Sequence, residues 1–135
     1  MDDGTEPIAD EELLYRRVSA ASGWFSAETG LNAQAFAPHK TNDATGLSVS
    51  RAKYKSIDEA AQPKPGKPYY VAVLRAGDLR QKGIEVSPRP LPGDPGHAEL
   101  PELNAGNRKS DRTLEFQRVL VDLCLRIEGP FSLPG

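Results

Sequence analysis

Histidine is the side chain best suited to acid–base chemistry near neutral pH, and the 135 residues contain only two. His39 lies in the segment AFAPHKTND and His97 in PGDPGHAEL, and both segments have the composition of loops, where functional residues concentrate. A metal site needs three or four ligands, and neither histidine belongs to an H-x-H or H-x-x-x-H motif. The sequence therefore predicts no metal and no cofactor, and it leaves each histidine as a general base or an ordinary loop residue.

Other nucleophiles and phosphate-binding loops give no motif. The chain has no G-x-S-x-G, and Ser48, in GLSVSR, has the position of a polar residue on a half-buried strand. Cys124 falls on the apolar side of the last predicted helix, where burial makes a thiol inert. Neither G-x-x-x-x-G-K-S/T nor G-x-G-x-x-G occurs. These motifs therefore assign no activity.

One polar constellation joins Arg16 and Arg17, which follow LLY, to Ser48 and Ser50 in the segment LSVS. The order is similar to that in the ADP-ribosyltransferase-like toxins and their relatives, in which an arginine on an early strand and a serine or threonine on a later strand hold a nicotinamide dinucleotide. The resemblance implies a nucleotide substrate. A late catalytic glutamate is not identifiable, although Glu85 and Glu99 are available.

Composition limits the classes of partner. Lys and Arg number 17 against 19 Asp and Glu, so the chain is no bulk polycation and indiscriminate nucleic-acid binding is not expected. The tract QPKPGKPYY interleaves lysine and tyrosine as single-stranded nucleic-acid sites do, but its prolines favour a loop. The single cysteine excludes an internal disulfide, and no apolar run approaches the roughly 18 residues of a membrane span. With no basic residue before Arg16, the start does not match a secretory signal, and we expect a cytoplasmic protein.

The first half of the chain supplies the elements that must position Arg16 and Ser48. Residues 1–8 are predicted to be a flexible acidic tail. Residues 9–18 are predicted to be a helix, because acids precede and arginines follow an apolar stripe; a short strand is the alternative. Leu47–Ser50 alternates as a strand does, and the spacing of Ser56 and Glu59 predicts a capping box for a short helix.

The second half contains the clearest strand, over 69–74, where five of six residues favour β structure. A short helix over 76–82, ended by Gly83, and a second strand over 84–86 follow it. Residues 87–101 are rich in proline, which predicts an extended loop with a brief edge strand over 97–100.

The last predicted element is a helix over 111–127 that buries Leu120, Leu123 and Ile127. The competing interpretation is a strand over 118–127, because RVLVDLCLRI also alternates in part. Residues 131–135 are predicted to form a C-terminal tail. Together these elements predict one α+β domain over residues 9–130, with a small mixed sheet and a long C-terminal helix.

The order LLYRRV, QAF, GLSVSRAKY, AGDLRQKG and PGDPGHAEL resembles a family of small bacterial proteins with L-Y-R-R, L-S-V and P-x-x-P-x-H-A motifs. The resemblance implies Arg16, Ser48 and His97 as the distinctive polar positions and implies no particular activity. This chain has NAQAF over residues 32–36, where the resembled proteins favour serines before the phenylalanine.

These observations predict a small non-catalytic binding or adaptor protein of a bacterial multi-component system for defence or stress, which contacts another protein subunit. Its predicted contact residues are Leu91, Pro92, Pro95 and His97, because a proline-restricted loop loses little entropy on docking. The alternative is a small enzyme of ADP-ribosyltransferase-like type that acts on a nucleotide through Arg16, Ser48 and His97. Convergence of those three side chains on one pocket would favour the enzyme.

Overall fold

The computed structural model describes residues 3–39, 43–107 and 109–133. Within these residues, eight strands and three α-helices follow one another, with short 3-10 turns at Ala20–Ser22, Ala33–Phe36 and Ala105–Asn107. The elements are β1 (Leu13–Ser19), β2 (Phe25–Ser26), β3 (Gly30–Leu31), β4 (Leu47–Arg51), α1 (Ile57–Ala61), β5 (Tyr69–Arg75), α2 (Ala76–Gln81), β6 (Ser87–Pro88), β7 (His97–Leu100), α3 (Asp111–Leu123) and β8 (Arg126–Phe131).

Six of these strands form the main sheet, in the order β6-β7-β4-β1-β5-β8. Each neighbouring pair in it is antiparallel, and β2 and β3 form a separate hairpin. The α+β class, the small single-domain size and the C-terminal helix are confirmed. Among the described residues, no helix is both long enough and apolar enough to cross a membrane.

The helix predicted over residues 9–18 is wrong, because Leu13–Ser19 pairs along its whole length with Tyr69–Arg75. The acidic residues that predicted a helix N-terminus form tertiary ion pairs instead. Asp10 bonds to Arg80 at 2.7 Å, and Glu12 accepts from the guanidinium of Arg51. Long-range strand pairing therefore outweighs the local charge pattern.

The tail predicted over residues 1–8 is corrected for residues 3–8, which pack against the domain. Gly4 and Ile8 are buried, and the Gly4 amide donates to the Tyr54 hydroxyl at 3.0 Å. A Cβ at Gly4 would lie 2.3 Å from the Pro95 carbonyl oxygen, so the segment runs directly beneath the proline-rich region.

Local signals in the middle of the chain are confirmed. Ser56 and Glu59 form the predicted capping box at the start of α1, and the strand predicted over 69–74 is β5, with Val71, Val73 and Leu74 fully buried. The strand predicted over 84–86 is wrong: Ile84 is buried there without forming a ladder. The chain instead crosses to the far edge of the sheet and begins β6.

The proline-rich segment is a hairpin that continues the β6–β7 pair. Leu91 and Asp94 exchange backbone hydrogen bonds of 3.0 and 2.8 Å around Pro92 and Gly93, and Gly93 has a φ of 74°. Proline followed by a glycine of positive φ fits a type II turn. The strand His97–Leu100 predicted at an edge lies instead between β6 and β4.

The C-terminal tract contains both of the elements that competed for it. A helix ends at Leu123 and a strand begins at Arg126, so the predicted continuation of the helix to Ile127 is wrong. The helix buries Leu120, whereas Leu123 and Ile127 are half-buried at the margin of the core. β8 also extends to Phe131, which is the first residue of the predicted tail.

The main apolar cluster lies on one face of the sheet, whereas Val71 and Val73 are buried on the other face. Leu14, Val18, Phe36, Leu74 and Leu120 belong to one buried apolar cluster, so α3 and the turn at Ala33–Phe36 cover this face. The opposite face carries Tyr15, Arg17, Ser48 and Ser50, since side chains alternate along a strand. α1 contacts β1 and β5, which leaves the part of this face over β4 and β7 open.

Candidate functional site

A cleft lies where β1 and β4 separate. The two strands form only the pairs Leu14 with Arg51 and Tyr15 with Ser50, although the same register would place Arg17 opposite Ser48. The guanidinium of Arg16 fills the gap between the strands. It donates to the main-chain carbonyl oxygen of Ser48 at 3.0 Å and to that of Ala35 at 3.2 Å.

Asp43 fixes the loop that leads into this gap. Its carboxylate is buried and accepts from the Ser48 amide at 2.9 Å and from the His39 amide at 2.6 Å. The Arg16 guanidinium lies 3.7 Å away. Asp43 and Arg16 thus hold the backbone of Ser48 from its two sides, through the amide and the carbonyl respectively.

Arg16 is a charge taken out of water. Its side chain is 14% exposed, and burial lowers the pKa of its guanidinium, an effect that Asp43 opposes and Arg17 reinforces. A guanidinium nevertheless stays protonated in proteins, so the carbonyl oxygens and Asp43 must compensate the buried charge. This arrangement makes Arg16 a residue that positions Ser48 rather than one that is free to leave it.

Ser48 and His97 meet across β4 and β7. The Ser48 Oγ and the His97 Nε2 are 3.2 Å apart, and the His97 Nδ1 lies 2.9 Å from the carbonyl oxygen of Arg89. Because a carbonyl oxygen can only accept, the geometry places the ring proton on Nδ1. Nε2 is then an acceptor directed at the serine hydroxyl, which is the arrangement of a nucleophile with its general base.

The cleft has a volume of about 610 Å³ and contains both charged and aromatic side chains. Its cationic residues are Arg16, Arg17 and Lys55, and its aromatic residues are Tyr15, Trp24 and Tyr69. Lys55 pairs with Asp94 at 3.1 Å and so ties the cleft wall to the β6–β7 hairpin. The floor runs from β7 to β5 across three strand spacings, or about 14 Å, which is room for a molecule of nucleotide size.

Arg16, Ser48 and His97, predicted from sequence as one alternative site, therefore converge, and His39 also borders the cleft. The two candidate glutamates do not join them. Glu99 lies opposite Ser48 in the β4–β7 ladder, yet it is buried with Thr45 as its partner at 2.8 Å and does not line the cleft. Glu85 is an exposed loop residue away from it.

The predicted contact residues divide into two groups. Leu91, Pro92 and Pro95 are exposed at the tip of the β6–β7 hairpin, with Leu91 49% exposed. His97 lies at the base of the same hairpin and faces the cleft. His97 is therefore separate from the exposed tip that Leu91, Pro92 and Pro95 form.

Cys124 follows α3 and is half-buried. Burial raises the pKa of its thiol, and its Sγ lies 3.3 Å from the Arg126 carbonyl oxygen. It is remote from the residues of the cleft. Within the described parts of the chain, no three His, Cys, Asp or Glu residues group closely enough to hold a metal ion.

Sequence reasoning named Arg17 beside Arg16 and missed the roles of Asp43, Lys55 and Gln62. Asp43 carried one usable signal, an Asx residue in a polar segment five positions before Ser48.

Comparison with protein-family models, with curated proteins and with solved structures found no match for the chain. The geometry of the cleft is therefore the basis for a function.

Proposed function

We propose that the protein is a small enzyme that acts on an anionic, nucleotide-like substrate in the cleft, with Ser48 and His97 as its catalytic residues. The observation that carries the proposal is the 3.2 Å contact between the Ser48 Oγ and the His97 Nε2, with the imidazole oriented from behind by the Arg89 carbonyl oxygen. This pair lies at a cleft floor rather than on a flat surface. The adaptor interpretation does not account for it.

The arrangement fits transfer or hydrolysis of a phosphate ester. The Ser48 Oγ would form a bond to phosphorus while its proton passes to the His97 Nε2. The alcohol of the substrate would leave with that proton, and a water molecule, activated in turn by His97, would release the phosphoryl group from Ser48. Arg16 is the positioning residue of this scheme, because it bonds to the carbonyl oxygen of Ser48.

Two features support a nucleotide and one argues against ADP-ribosyl transfer. The cleft combines cationic groups with aromatic rings, which suits a ligand with both phosphate and base. Its length exceeds what a free phosphate needs. Neither Glu85 nor Glu99 lines it, so the carboxylate that the ADP-ribosyltransferase-like resemblance requires has no support at those two positions.

The test uses the 4-nitrophenyl ester of thymidine 5′-monophosphate and follows the release of nitrophenolate. Ser48→Ala and His97→Ala should each lower the rate by about 10²-fold or more. Ser50→Ala is the matched control, because Ser50 borders the same cleft from the same strand and should retain turnover. Absence of turnover in the wild type, or equal turnover in Ser48→Ala, would contradict the proposal.

A second candidate is the adaptor function, favoured by one observation. Leu91 is 49% exposed beside Pro92 and Pro95, at the tip of an ordered hairpin, as expected of a preorganised contact with another protein subunit in the bacterial cytoplasm. Leu91→Asp should then abolish capture of that subunit by the tagged protein without changing Tm. Leu125→Asp, at a leucine that is also 49% exposed, is the control that should retain capture.

A further inference from the structure

Resting on the proposed function, we infer that Arg17 is the residue that binds the phosphate of a 5′-mononucleotide in the cleft, with Tyr69 and Gln62 as its positioning residues. Arg17 lies on β1 and faces the same side of the sheet as Ser48. The register of β1 and β4 would place the two residues opposite each other. The strands separate before that point, but both residues line the cleft, so an anion bound by Arg17 would lie in the same cleft as the serine hydroxyl.

The charge of Arg17 distinguishes it from the other cations of the cleft. Arg16 is held by two carbonyl oxygens and Asp43, and Lys55 is paired with Asp94. Within the described residues, by contrast, no carboxylate lies within ion-pair distance of Arg17. Its contacts are the neutral amide oxygen of Gln62, at 3.2 Å, and the ring of Tyr69. A positive charge without an anionic partner in a cleft is matched by an anionic ligand.

The guanidinium is nonetheless held in place. Its central carbon lies 3.9 Å from the centre of the Tyr69 ring, and a guanidinium that stacks on an aromatic face keeps its N–H groups available for hydrogen bonds. The edge of a guanidinium matches the geometry of phosphate oxygens, which accept two parallel hydrogen bonds. The contact with Tyr69 therefore fixes the position of Arg17 and leaves its positive charge unneutralised.

Gln62 supplies the second constraint. It is the single non-glycine residue with a positive φ, 42°, among the described residues, and it follows the last turn of α1 in the left-handed conformation. That conformation costs an ordinary side chain free energy, and glycine would adopt it without strain. The side-chain amide that glycine lacks is the group that contacts Arg17. This contact explains why glutamine occupies a strained position.

A nucleotide, rather than a simple phosphate, is the ligand that fits the remaining cleft. Trp24 and Tyr15 border it in addition to Tyr69, and aromatic faces stack on bases of any sequence. The distance of about 14 Å from β7 to β5 leaves room for a base beyond the phosphate. We therefore expect selectivity for the phosphate and tolerance of the base.

The experiment is calorimetric titration of the full chain with the 5′-monophosphates of adenosine, guanosine, cytidine and uridine, and with the four nucleosides. At least one monophosphate should bind 10-fold or more tightly than its nucleoside. Arg17→Gln should remove this difference and Arg17→Lys should restore part of it. Arg126→Gln, which removes an exposed arginine on β8, should change nothing.

Variants at position 62 separate a positioning role from a structural one. Gln62→Gly keeps the left-handed backbone and should weaken monophosphate binding several-fold with little change in Tm. Gln62→Glu should weaken it further, because a carboxylate would neutralise Arg17, although that variant would strengthen a purely structural contact. Tighter binding in Gln62→Glu would overturn the positioning role.

The inference as a whole is overturned if no monophosphate binds, if nucleosides bind equally well, or if Arg17→Gln binds normally. Turnover of the nitrophenyl ester, measured beside monophosphate binding, separates these outcomes from failure of the proposed function. Monophosphate binding that depends on Arg17, without turnover that depends on Ser48, would reject the proposed enzymatic function and support the phosphate site. Turnover that requires Ser48 but does not change in Arg17→Gln would support the enzyme and reject the phosphate site at Arg17.

Discussion

Arg16 and Arg51 are two buried arginines on neighbouring strands, and they are compensated in different ways. Arg51 is 1% exposed and donates to both carboxylate oxygens of Glu12, at 2.9 Å each. Glu6 lies 3.5 Å from the same guanidinium, which also donates to the Gly4 carbonyl oxygen at 3.3 Å. Arg16 relies on two carbonyl oxygens, and its single carboxylate is 3.7 Å distant.

This difference indicates that Arg51 stabilises the fold, whereas Arg16 positions the residues of the cleft. Among the described residues, the acceptors of the Arg51 guanidinium all come from residues 4–12, so this side chain fixes the N-terminal segment beneath the proline-rich hairpin. The acceptors of Arg16 flank the cleft and include the backbone of Ser48. A paired buried charge is costly to break, whereas a charge bound mainly to carbonyls contributes the smaller energy of ordinary hydrogen bonds.

The largest effect is expected for Arg51→Met. It leaves the Glu12 carboxylate without its bidentate partner, which should lower the free energy of unfolding by about 3–5 kcal/mol, measured by urea denaturation. The double variant Arg51→Met with Glu12→Gln should recover part of the loss, because no unpaired charge remains. If Arg51→Met is as stable as the wild type, the ion pair of Arg51 with Glu12 does not stabilise the fold.

Arg16→Met should cost less stability and more function. We expect about 1–3 kcal/mol from the unsatisfied carbonyl oxygens, together with loss of turnover of the nitrophenyl ester, because Ser48 is no longer held at its carbonyl. Arg51→Met assayed under conditions where it remains folded should retain turnover. If the two variants lose stability equally and activity equally, the distinction between the arginines fails.

The smallest effect is a pH dependence at Glu6. The hydroxyl of Tyr54 donates to Glu6, and this hydrogen bond lowers the pKa of Glu6, with Lys53 and Arg51 adding to the effect. A lowered pKa in the folded state means that the contribution is present above the unfolded value of about 4.3 and is lost as the pH falls through the folded value.

Glu6→Gln should therefore have a slightly lower Tm than the wild type at neutral pH, and the two should converge in acid. Thermal unfolding followed from pH 7 downwards measures this, with Glu115→Gln on the exposed face of α3 as the control. A difference in Tm that stays constant with pH would assign the role of Glu6 to packing instead.

Elements set by neighbouring residues were predictable from the sequence. The capping box of α1, the alternation of β4 and the aliphatic run of β5 each depend on a few consecutive positions. β1 was not predictable in this way, because Asp10 and Glu12 satisfy both a helix start and the tertiary partners Arg80 and Arg51. The tract after Ser110 combines a helical period with an alternating one because a helix and a strand share it.

The candidate site divides in the same manner. Arg16, Ser48 and His97 could be found because histidine is scarce and the order of arginine and serine is distinctive. Arg17 could be named only as the neighbour of Arg16, and the roles of Asp43 and Gln62 could not be found, since they depend on the separation of β1 from β4 and on a left-handed residue after α1. No spacing in the sequence encodes where two strands stop pairing.

The order of the strands has a consequence for how fast the chain can fold. β1 pairs with β5 and β4 with β7, so most of the sheet joins segments that are distant in sequence, and such topologies fold in roughly milliseconds to seconds. During synthesis the delay is longer, because Ser19 must wait for Tyr69 to emerge, which takes roughly 3–10 seconds at 5–20 residues per second. Leu14 and Val18 are without their β5 partners throughout that interval, so the apolar side chains of β1 must wait for β5 before the sheet can bury them.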